Sequence, residues 1–241
     1  MDNFCMYMVT HKPVDKIPKD RVPLFVGTGD NKAGYLADSE GDNISSKNKN
    51  YCELTGIYWI WKNDKASEYV SIEHYRRFFM NRFIPKISRK KYIWNLLKSY
   101  DAVTSRQYIV NESVYKYYCE HHFESDLIEI RKIISRIYPE YIDAFDSFFS
   151  NDKSVMLNMV AMKKELFDSY CEWLFQILFL LEKEIDISNR DTYQQRVYGF
   201  LAERLFNVWL IKNDIKTVPL PIYHLENHAL ISLAKSIKHR K

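Results

Sequence analysis

The chain has 241 residues, of which 46% are hydrophobic and 27% are charged, a balance typical of a soluble globular protein with a substantial core. Its formal net charge of +4 excludes a polyelectrolyte that binds nucleic acid by charge alone, but it allows a local basic patch. The four cysteines form no CxxC pair, and no apolar run approaches the roughly 20 residues that span a bilayer, so we expect a cytoplasmic protein with reduced thiols.

The first half of the chain alternates predicted strands and helices. A polar stretch at 28–50, rich in Gly, Asn, Asp and Ser, predicts an ordered loop or a set of turns. The alternation around it predicts an α/β domain with mostly parallel strands. The predicted strands are FCMYMVTHKP (4–13), VPLFVG (22–27), YVSIEHYRRFF (69–79) and YDAVTS (100–105), and the predicted helices lie at 52–63 and around 88–99.

The second half is mainly helical in its predicted structure. Helical patterns cover 111–149 with a break near Pro139, then 163–185 and 190–213, with a strand at 154–162 and an extended segment at 217–225. We therefore predict a single α/β domain over 1–228, with a Rossmann-type, mostly parallel sheet, flanking helices and a helical C-terminal half. Residues 229–241 form a basic amphipathic tail that could lie on an anionic membrane surface or simply fray.

A cluster of polar residues ends the strand predicted at 69–79: His74, Tyr75, Arg76 and Arg77. A buried parallel strand presents its last residues at the carboxyl edge of the sheet, where open α/β folds bind ligands. Arginine binds phosphate there through paired, charge-assisted hydrogen bonds. The alternatives are that both arginines pair with carboxylates or lie in water, and that His74 is a packed core histidine.

Two further groups are candidates for binding a nucleotide at the sheet edge. Thr10, His11 and Lys12 end the first predicted strand, and Asp42 and Asn43 lie in a loop that begins at a glycine. Such side chains can bind a ribose, a nucleobase or a metal. Asp and Asn in such loops equally form Asx turns with their own backbone.

His122 and Asp126 lie four residues apart in a helical pattern and therefore share a face. The pair could act as an acid and base or supply half of a metal site. A surface ion pair is the structural alternative.

One face of the helix predicted at 190–213 carries Arg196, Gly199 and Glu203. Glycine costs about 1 kcal/mol relative to alanine inside a helix, so Gly199 indicates that another element approaches closely. Arg204 lies near the apolar stripe of this helix and needs a partner if it is buried. The face is a candidate active site, and a solvated face with a chance glycine is the alternative.

Several long blocks of the chain resemble one protein family. They are GDNISSKNKNYCELTGIYWIWKN (41–63), YVSIEHYRRFF (69–79), PEYIDAF (139–145), NMVAMKKELFDSYCEWLFQIL (158–178) and RVYGFLAERLFNVWL (196–210). By these blocks the chain resembles the domain-of-unknown-function family 4422, whose members belong to bacterial capsule, exopolysaccharide and O-antigen gene clusters and include glycosyltransferases. The resemblance covers nearly the whole chain except its tail.

The resemblance implies a GT-A-like hexosyltransferase that moves galactofuranose or galactose, with inversion, from a UDP-sugar to a lipid-linked or oligosaccharide acceptor. On this interpretation Glu203 is the expected catalytic base, and Asp126, with His122, is the second candidate. Arg76, Arg77 and Arg204 are assigned to the pyrophosphate. The remaining donor-binding candidates are Thr10, His11, Lys12, Asp42, Asn43, His74 and Tyr75.

We expect no metal site and no required cofactor. No DxD motif follows a predicted strand, and His74 to Arg77 take the position where that motif often lies in GT-A enzymes. We therefore expect positive side chains to neutralise the leaving diphosphate, with a divalent metal not favoured. The chain also lacks the Rossmann, P-loop, GxSxG, HExxH and Cys/His zinc motifs.

Two other functional classes remain open. A non-catalytic partner subunit of a polysaccharide assembly complex would keep the fold but bind no nucleotide. A nucleic-acid binder fits less well, because the aromatic residues lie at helical core spacing and are not interleaved with Lys and Arg. The expected partners are a nucleotide-sugar and a glycan or lipid-linked glycan, without nucleic acid. If the tail lies on an anionic membrane surface, as in the first of its two alternatives, the cytoplasmic protein is peripheral at the inner face of the cell membrane.

Overall fold

A mostly parallel sheet forms the centre of the chain in a computed structural model that describes residues 3–225. Within these residues the order along the main path of the sheet is β10-β6-β9-β4-β1-β2-β3, in which β9 runs antiparallel to both of its neighbours, while β5 pairs antiparallel with β4 and β11 beside this path. This arrangement confirms the predicted α/β class. The strands of the sheet are β1 (Phe4–Thr10), β2 (Val22–Phe25), β3 (Leu36–Ala37), β4 (Tyr69–His74), β5 (Arg77–Phe79), β6 (Ala102–Ser105), β9 (Val160–Lys163), β10 (Thr217–Leu220) and β11 (Ile222–His224), while β7 (Gln107–Ile109) and β8 (Lys153–Val155) form a separate pair.

Helices cover both faces of the sheet and dominate the second half of the described chain, as predicted. A 3₁₀ turn at Pro139–Tyr141 makes the predicted break in the helical pattern. None of the helices between residues 3 and 225 is long and apolar enough to cross a membrane. The helices are α1 (Asn48–Tyr51), α2 (Leu54–Asn63), α3 (Lys90–Leu96), α4 (Val114–His121), α5 (Glu124–Ile137), α6 (Ile142–Ser150), α7 (Lys164–Glu184) and α8 (Val197–Lys212).

The two faces of the sheet pack into two hydrophobic cores, because successive side chains of a strand point to opposite faces. Tyr7 and Val9 of β1 belong to the larger core, which also contains residues of α2, α5, α6, α7 and α8. Phe4 and Met6 belong to the smaller core, which contains residues of α3. Both faces are therefore buried, which is typical of parallel strands and leaves the strand ends for a binding site.

The segment YVSIEHYRRFF is a strand that folds back on itself, and the single strand predicted over 69–79 is wrong. Strand β4 ends at His74, Tyr75 and Arg76 make the turn, and β5 returns antiparallel with Arg77 opposite His74. Glu73 explains the reversal, since its fully buried carboxylate accepts a hydrogen bond of 2.8 Å from the backbone N–H of Phe79.

The carboxylate of Glu73 forms an ion pair with Arg21, whose Nε and Nη2 donate to it over 2.5 and 3.0 Å. Arg21 is buried as well and also donates to the carbonyl of Ser88. Burial raises the pKa of Glu73, and the guanidinium opposes this shift. A paired charge inside the smaller core thus fixes the hairpin that carries the two arginines.

The strand predicted over 154–162 is also divided in the structure. Strand β8 ends at Val155 and β9 begins at Val160, and between them Leu157 and Asn158 have φ angles of 86° and 47°. Non-glycine residues rarely occupy this left-handed region. The loop reverses the chain, so β9 enters the sheet antiparallel to β4 and β6.

The polar stretch at 28–50 is ordered, as predicted, but it contains more than turns: the short strand β3, a 3₁₀ helix at Ser45–Lys47 and the start of α1. Asp38 is fully buried, and its Oδ1 accepts hydrogen bonds from the backbone N–H of Gly27 and the hydroxyl of Ser45. The domain boundary predicted at 228 and the tail at 229–241 lie outside the described residues.

Candidate functional site

A cleft of about 440 Å³ opens at the carboxyl ends of β1 and β4. The two strands are parallel neighbours with Val9 paired to His74, so the residues that follow them meet at one edge of the sheet. The other walls come from the segment of α1 and α2, the loop between β8 and β9, and the start of α8. We refer to this space as the first cleft.

Positive side chains outnumber carboxylates in the first cleft. The guanidinium of Arg77 makes no hydrogen bond or ion pair with any side chain between residues 3 and 225, so its donors are available to a ligand. The guanidinium of Arg76 lies 5.0 Å from the centre of the Tyr75 ring. The charged and titratable residues that line the cleft are His11, Lys49, His74, Arg76, Arg77 and Arg196, with Glu53 and Glu203 as the carboxylates.

Both histidines of the first cleft are held in the neutral form. Burial lowers the pKa of His74, and burial followed by the charges of Lys12 and Arg76 lowers the pKa of His11. His74 also makes a hydrogen bond with the backbone of Leu157, and its buried Nε2 has no partner in the described part of the chain. His74 is therefore both a packed histidine and a wall of the cleft.

A second cleft of about 660 Å³ lies beside the first, between β7, α4 and the start of α8. Four residues line both clefts: Arg77, Leu157, Arg196 and Glu203. The two clefts are therefore adjacent and share a wall made by these four residues.

The carboxylate of Glu203 lies at this junction. Its Oε1 accepts a hydrogen bond of 2.9 Å from the backbone N–H of Leu157, and its Oε2 accepts one of 2.9 Å from Nη1 of Arg204. The side chain keeps 19% of its surface exposed. Desolvation raises the pKa of Glu203 and the charge of Glu53 adds to this shift, whereas Arg204 and Arg77 oppose it. A fixed, partly desolvated carboxylate of this kind can accept a proton.

Glu53 is a second carboxylate of the first cleft that the sequence analysis did not identify. Its Oε1 accepts a hydrogen bond of 2.8 Å from the side-chain amide of Asn158, which also donates to the carbonyl of Gly199. In the sequence Glu53 is an ordinary polar residue at the start of a helix. No local pattern separates it from the other exposed acids.

Arg196 and Cys52 form a polar contact on the wall of the first cleft. Nε of Arg196 donates to Sγ of Cys52 over 3.0 Å. The close approach predicted at Gly199 is made by the same cysteine, because a methyl group on Gly199 would lie 3.6 Å from that sulfur. This is an ordinary contact distance, so alanine would fit there.

Asp126 lies apart from both clefts. It is 1% exposed, and its two carboxylate oxygens accept hydrogen bonds of 2.8 and 2.6 Å from Arg190. His122 does line the second cleft, but its Nδ1 is 3.0 Å from Oε1 of Gln194. His122 and Asp126 therefore do not form the predicted acid and base pair. Asp126 instead forms a buried ion pair with Arg190 and lines neither cleft.

The predicted donor-binding residues divide into three groups. Six of them line the first cleft together: Thr10, His11, His74, Tyr75, Arg76 and Arg77. Arg204 lines the second cleft only, where it donates to Glu203, so it shares that cleft with Arg77 but not with Arg76. Lys12, Asp42 and Asn43 line neither cleft.

Asp42 and Asn43 make hydrogen bonds with nearby residues of the protein. Asp42 accepts a hydrogen bond from the hydroxyl of Tyr58. Oδ1 of Asn43 accepts a hydrogen bond of 3.2 Å from the backbone N–H of Ser45, as in the Asx-turn alternative, and its amide donates to the carbonyls of Ser39 and Gly41. Across residues 3–225, no group of three or more His, Cys, Asp or Glu side chains could hold a metal ion.

Comparisons with known proteins show the family of the chain and a structure with a similar fold. The model of the family described as domain of unknown function (DUF4422) matches residues 5–214, so the chain belongs to this family, as its sequence blocks indicated. Among solved structures the chain is similar to WbbM, a bifunctional glycosyltransferase in its apo form, with a TM-score of 0.84 and 31% sequence identity. The match covers 93% of this chain and 46% of the WbbM chain, so the chain spans less than half the length of that protein. Comparison with curated proteins gives no match.

Proposed function

We propose that this protein is a glycosyltransferase with a GT-A-like fold that moves a hexose, galactofuranose or galactose, from a UDP-sugar to a lipid-linked or oligosaccharide acceptor. The observation that carries the proposal is the position of Glu203 on the wall shared by two adjacent clefts, one of them rich in cations. The similarity to WbbM supports the same class of reaction. By the family resemblance, the setting is bacterial surface polysaccharide synthesis at the inner face of the membrane.

In this proposal the first cleft binds the donor and the second cleft binds the acceptor. Arg76 and Arg77 bind the diphosphate, because guanidinium groups make paired, charge-assisted hydrogen bonds to phosphate oxygens. Thr10 and His11 face the nucleoside at the end of β1. Glu203 takes the proton from the acceptor hydroxyl, which then attacks the anomeric carbon as the UDP group leaves from the opposite side, with inversion.

The charge that develops on the leaving diphosphate is stabilised in this proposal by arginine in place of a metal. Arg77 is suited to this role because its donors have no other partner in the described chain and because it lines both clefts. Fixed positive groups aimed at developing charge are an effective form of catalysis in a partly desolvated site.

Titration calorimetry with UDP tests the donor site, and transfer from UDP-galactose and UDP-galactofuranose to a synthetic acceptor, with and without EDTA, tests the reaction. We expect micromolar to millimolar binding of UDP and turnover that survives EDTA. Obligatory Mg²⁺ or Mn²⁺ would overturn the arginine role. If the protein binds none of UDP, GDP and CMP, it is a non-catalytic partner subunit and the proposal fails.

A further inference from the structure

Three aromatic rings pack against one another in the second cleft and form a cluster that we call the aromatic shelf: His122, Tyr193 and Phe200. Phe200 stacks on His122 with ring centres 4.3 Å apart, and Tyr193 lies 5.0 Å from Phe200. The planes of His122 and Tyr193 differ by only 19°. Tyr193 is 55% exposed, so an apolar surface remains open to a ligand in the cleft.

The aromatic shelf is fixed in place by hydrogen bonds from its own segment. Oδ1 of Asp191 accepts from the backbone N–H groups of Tyr193 and Gln194 over 2.8 and 2.9 Å. The side chain of Gln194 contacts Nδ1 of His122 at 3.0 Å and donates to the carbonyl of His121 over 2.7 Å. The rings are thus ordered before a ligand arrives, which lowers the entropy cost of binding.

The chemistry of the aromatic shelf matches the face of a sugar ring. An aromatic face carries negative potential and attracts the weakly positive C–H groups of one side of a sugar. Burial lowers the pKa of His122, so its ring is neutral at pH 7 and extends the apolar surface. Glu112 and Glu120 line the same cleft and supply acceptors for hydroxyl groups.

The aromatic shelf lies in the same cleft as Glu203, the proposed base. Phe200 and Glu203 lie three residues apart on α8, so they share a face of the helix. A sugar stacked on the exposed ring of Tyr193, which packs against Phe200, would therefore lie on the side of α8 that carries Glu203.

We propose that the aromatic shelf binds the terminal sugar of the acceptor by stacking against its ring. This inference rests on the proposed transferase function and deepens it, because it names the part of the acceptor that the protein recognises. The part of the acceptor that binds next to Glu203 is thus a sugar ring and not a lipid chain.

Saturation-transfer NMR on the full chain with UDP present tests this inference, with the octyl β-glycosides of galactose, glucose and N-acetylglucosamine as probes. We expect saturation on the ring protons of at least one probe. Tyr193→Ala should weaken its binding about tenfold, the size of one good ring contact, while Tyr193→Phe should keep it. Phe83→Ala is the matched control, since Phe83 is 86% exposed and lines neither cleft.

The possible results separate this inference from the proposed function. Saturation confined to the octyl chain, or unchanged binding in Tyr193→Ala, overturns the sugar-stacking role. Normal UDP binding without saturation of any sugar ring overturns this inference alone. Loss of UDP binding in the wild-type protein would instead overturn the proposed function.

Discussion

Glu203 is held by the backbone N–H of Leu157, which donates to its Oε1 over 2.9 Å. Leu157 has a φ of 86°, and the next residue, Asn158, has a φ of 47° and donates to Glu53 over 2.8 Å. One loop in a rare backbone conformation therefore fixes both carboxylates of the first cleft. Strain of this kind persists where the surrounding structure enforces it, and it is concentrated at functional sites.

Replacing Glu203 by glutamine should remove the proposed base. We expect kcat to fall by about 10²- to 10⁴-fold while the affinity for UDP stays unchanged, because the residue acts on the acceptor hydroxyl. Steady-state kinetics and UDP calorimetry measure the two quantities. Glu165→Gln is the control, since the exposed side chain of Glu165 on α7 lines neither cleft. Near-normal turnover in Glu203→Gln would contradict the assignment of Glu203 as the catalytic base.

Replacing Arg77 by alanine should weaken the binding of UDP. A hydrogen bond to a charged group contributes about 1.5 to 3 kcal/mol, so we expect a loss of roughly 10- to 100-fold in affinity. The loss should become smaller as salt screens the phosphate charge. Calorimetry at two salt concentrations measures this, with Arg89→Ala as the control because Arg89 is exposed and lines neither cleft. Equal affinities of Arg77→Ala and Arg89→Ala would contradict the phosphate role.

The pH dependence of kcat/KM should report the environment of Glu203. The base must be deprotonated, so activity should rise with pH through the raised pKa of Glu203. The negative charge of Glu53 contributes to that shift, so Glu53→Gln should move the acidic limb to lower pH. Arg77 opposes the shift, so Arg77→Ala should move the limb to higher pH. If the acidic limbs of both Glu53→Gln and Arg77→Ala stay at the wild-type pH, a group other than Glu203 controls the pH profile.

Replacing Asp126 by asparagine should reduce stability and leave the chemistry intact. Arg190 would lose its buried partner, which typically costs about 3 to 5 kcal/mol. Denaturant unfolding measures this loss, and the kcat of the folded fraction should match the wild type. Asp143→Asn is the control, because Asp143 is exposed on α6. A collapse of turnover at unchanged stability would instead make Asp126 a catalytic residue.

The order of strands and helices could be predicted because each element carries its own hydrophobic pattern. The apolar runs that begin β1 and β4 indicated buried strands, and the polar residues after them indicated the sheet edge. The parallel pairing that brings Thr10 and His74 to one cleft follows from these two facts.

The parts that the sequence did not predict depend on contacts between distant residues. The β4–β5 reversal depends on Glu73 and its partner Arg21, 52 positions earlier. The reversal at Leu157 depends on Glu203, 46 positions later. Hydrophobic periodicity reports only neighbours along the chain and does not reveal such distant pairs. The positions of these two turns and the contact of Glu53 with the first cleft therefore became visible only in the structure.

Strand β11 pairs with β5, and His224 lies opposite Arg77. The backbone N–H of Met80 also donates to the carbonyl of Pro221 over 2.7 Å. During synthesis on the ribosome, a chain that has emerged only through α8 already contains Glu203 but lacks the strand that completes the pairing of β5. Contacts between such distant segments form slowly, so the arginine side of the first cleft should be the last part of the site to mature.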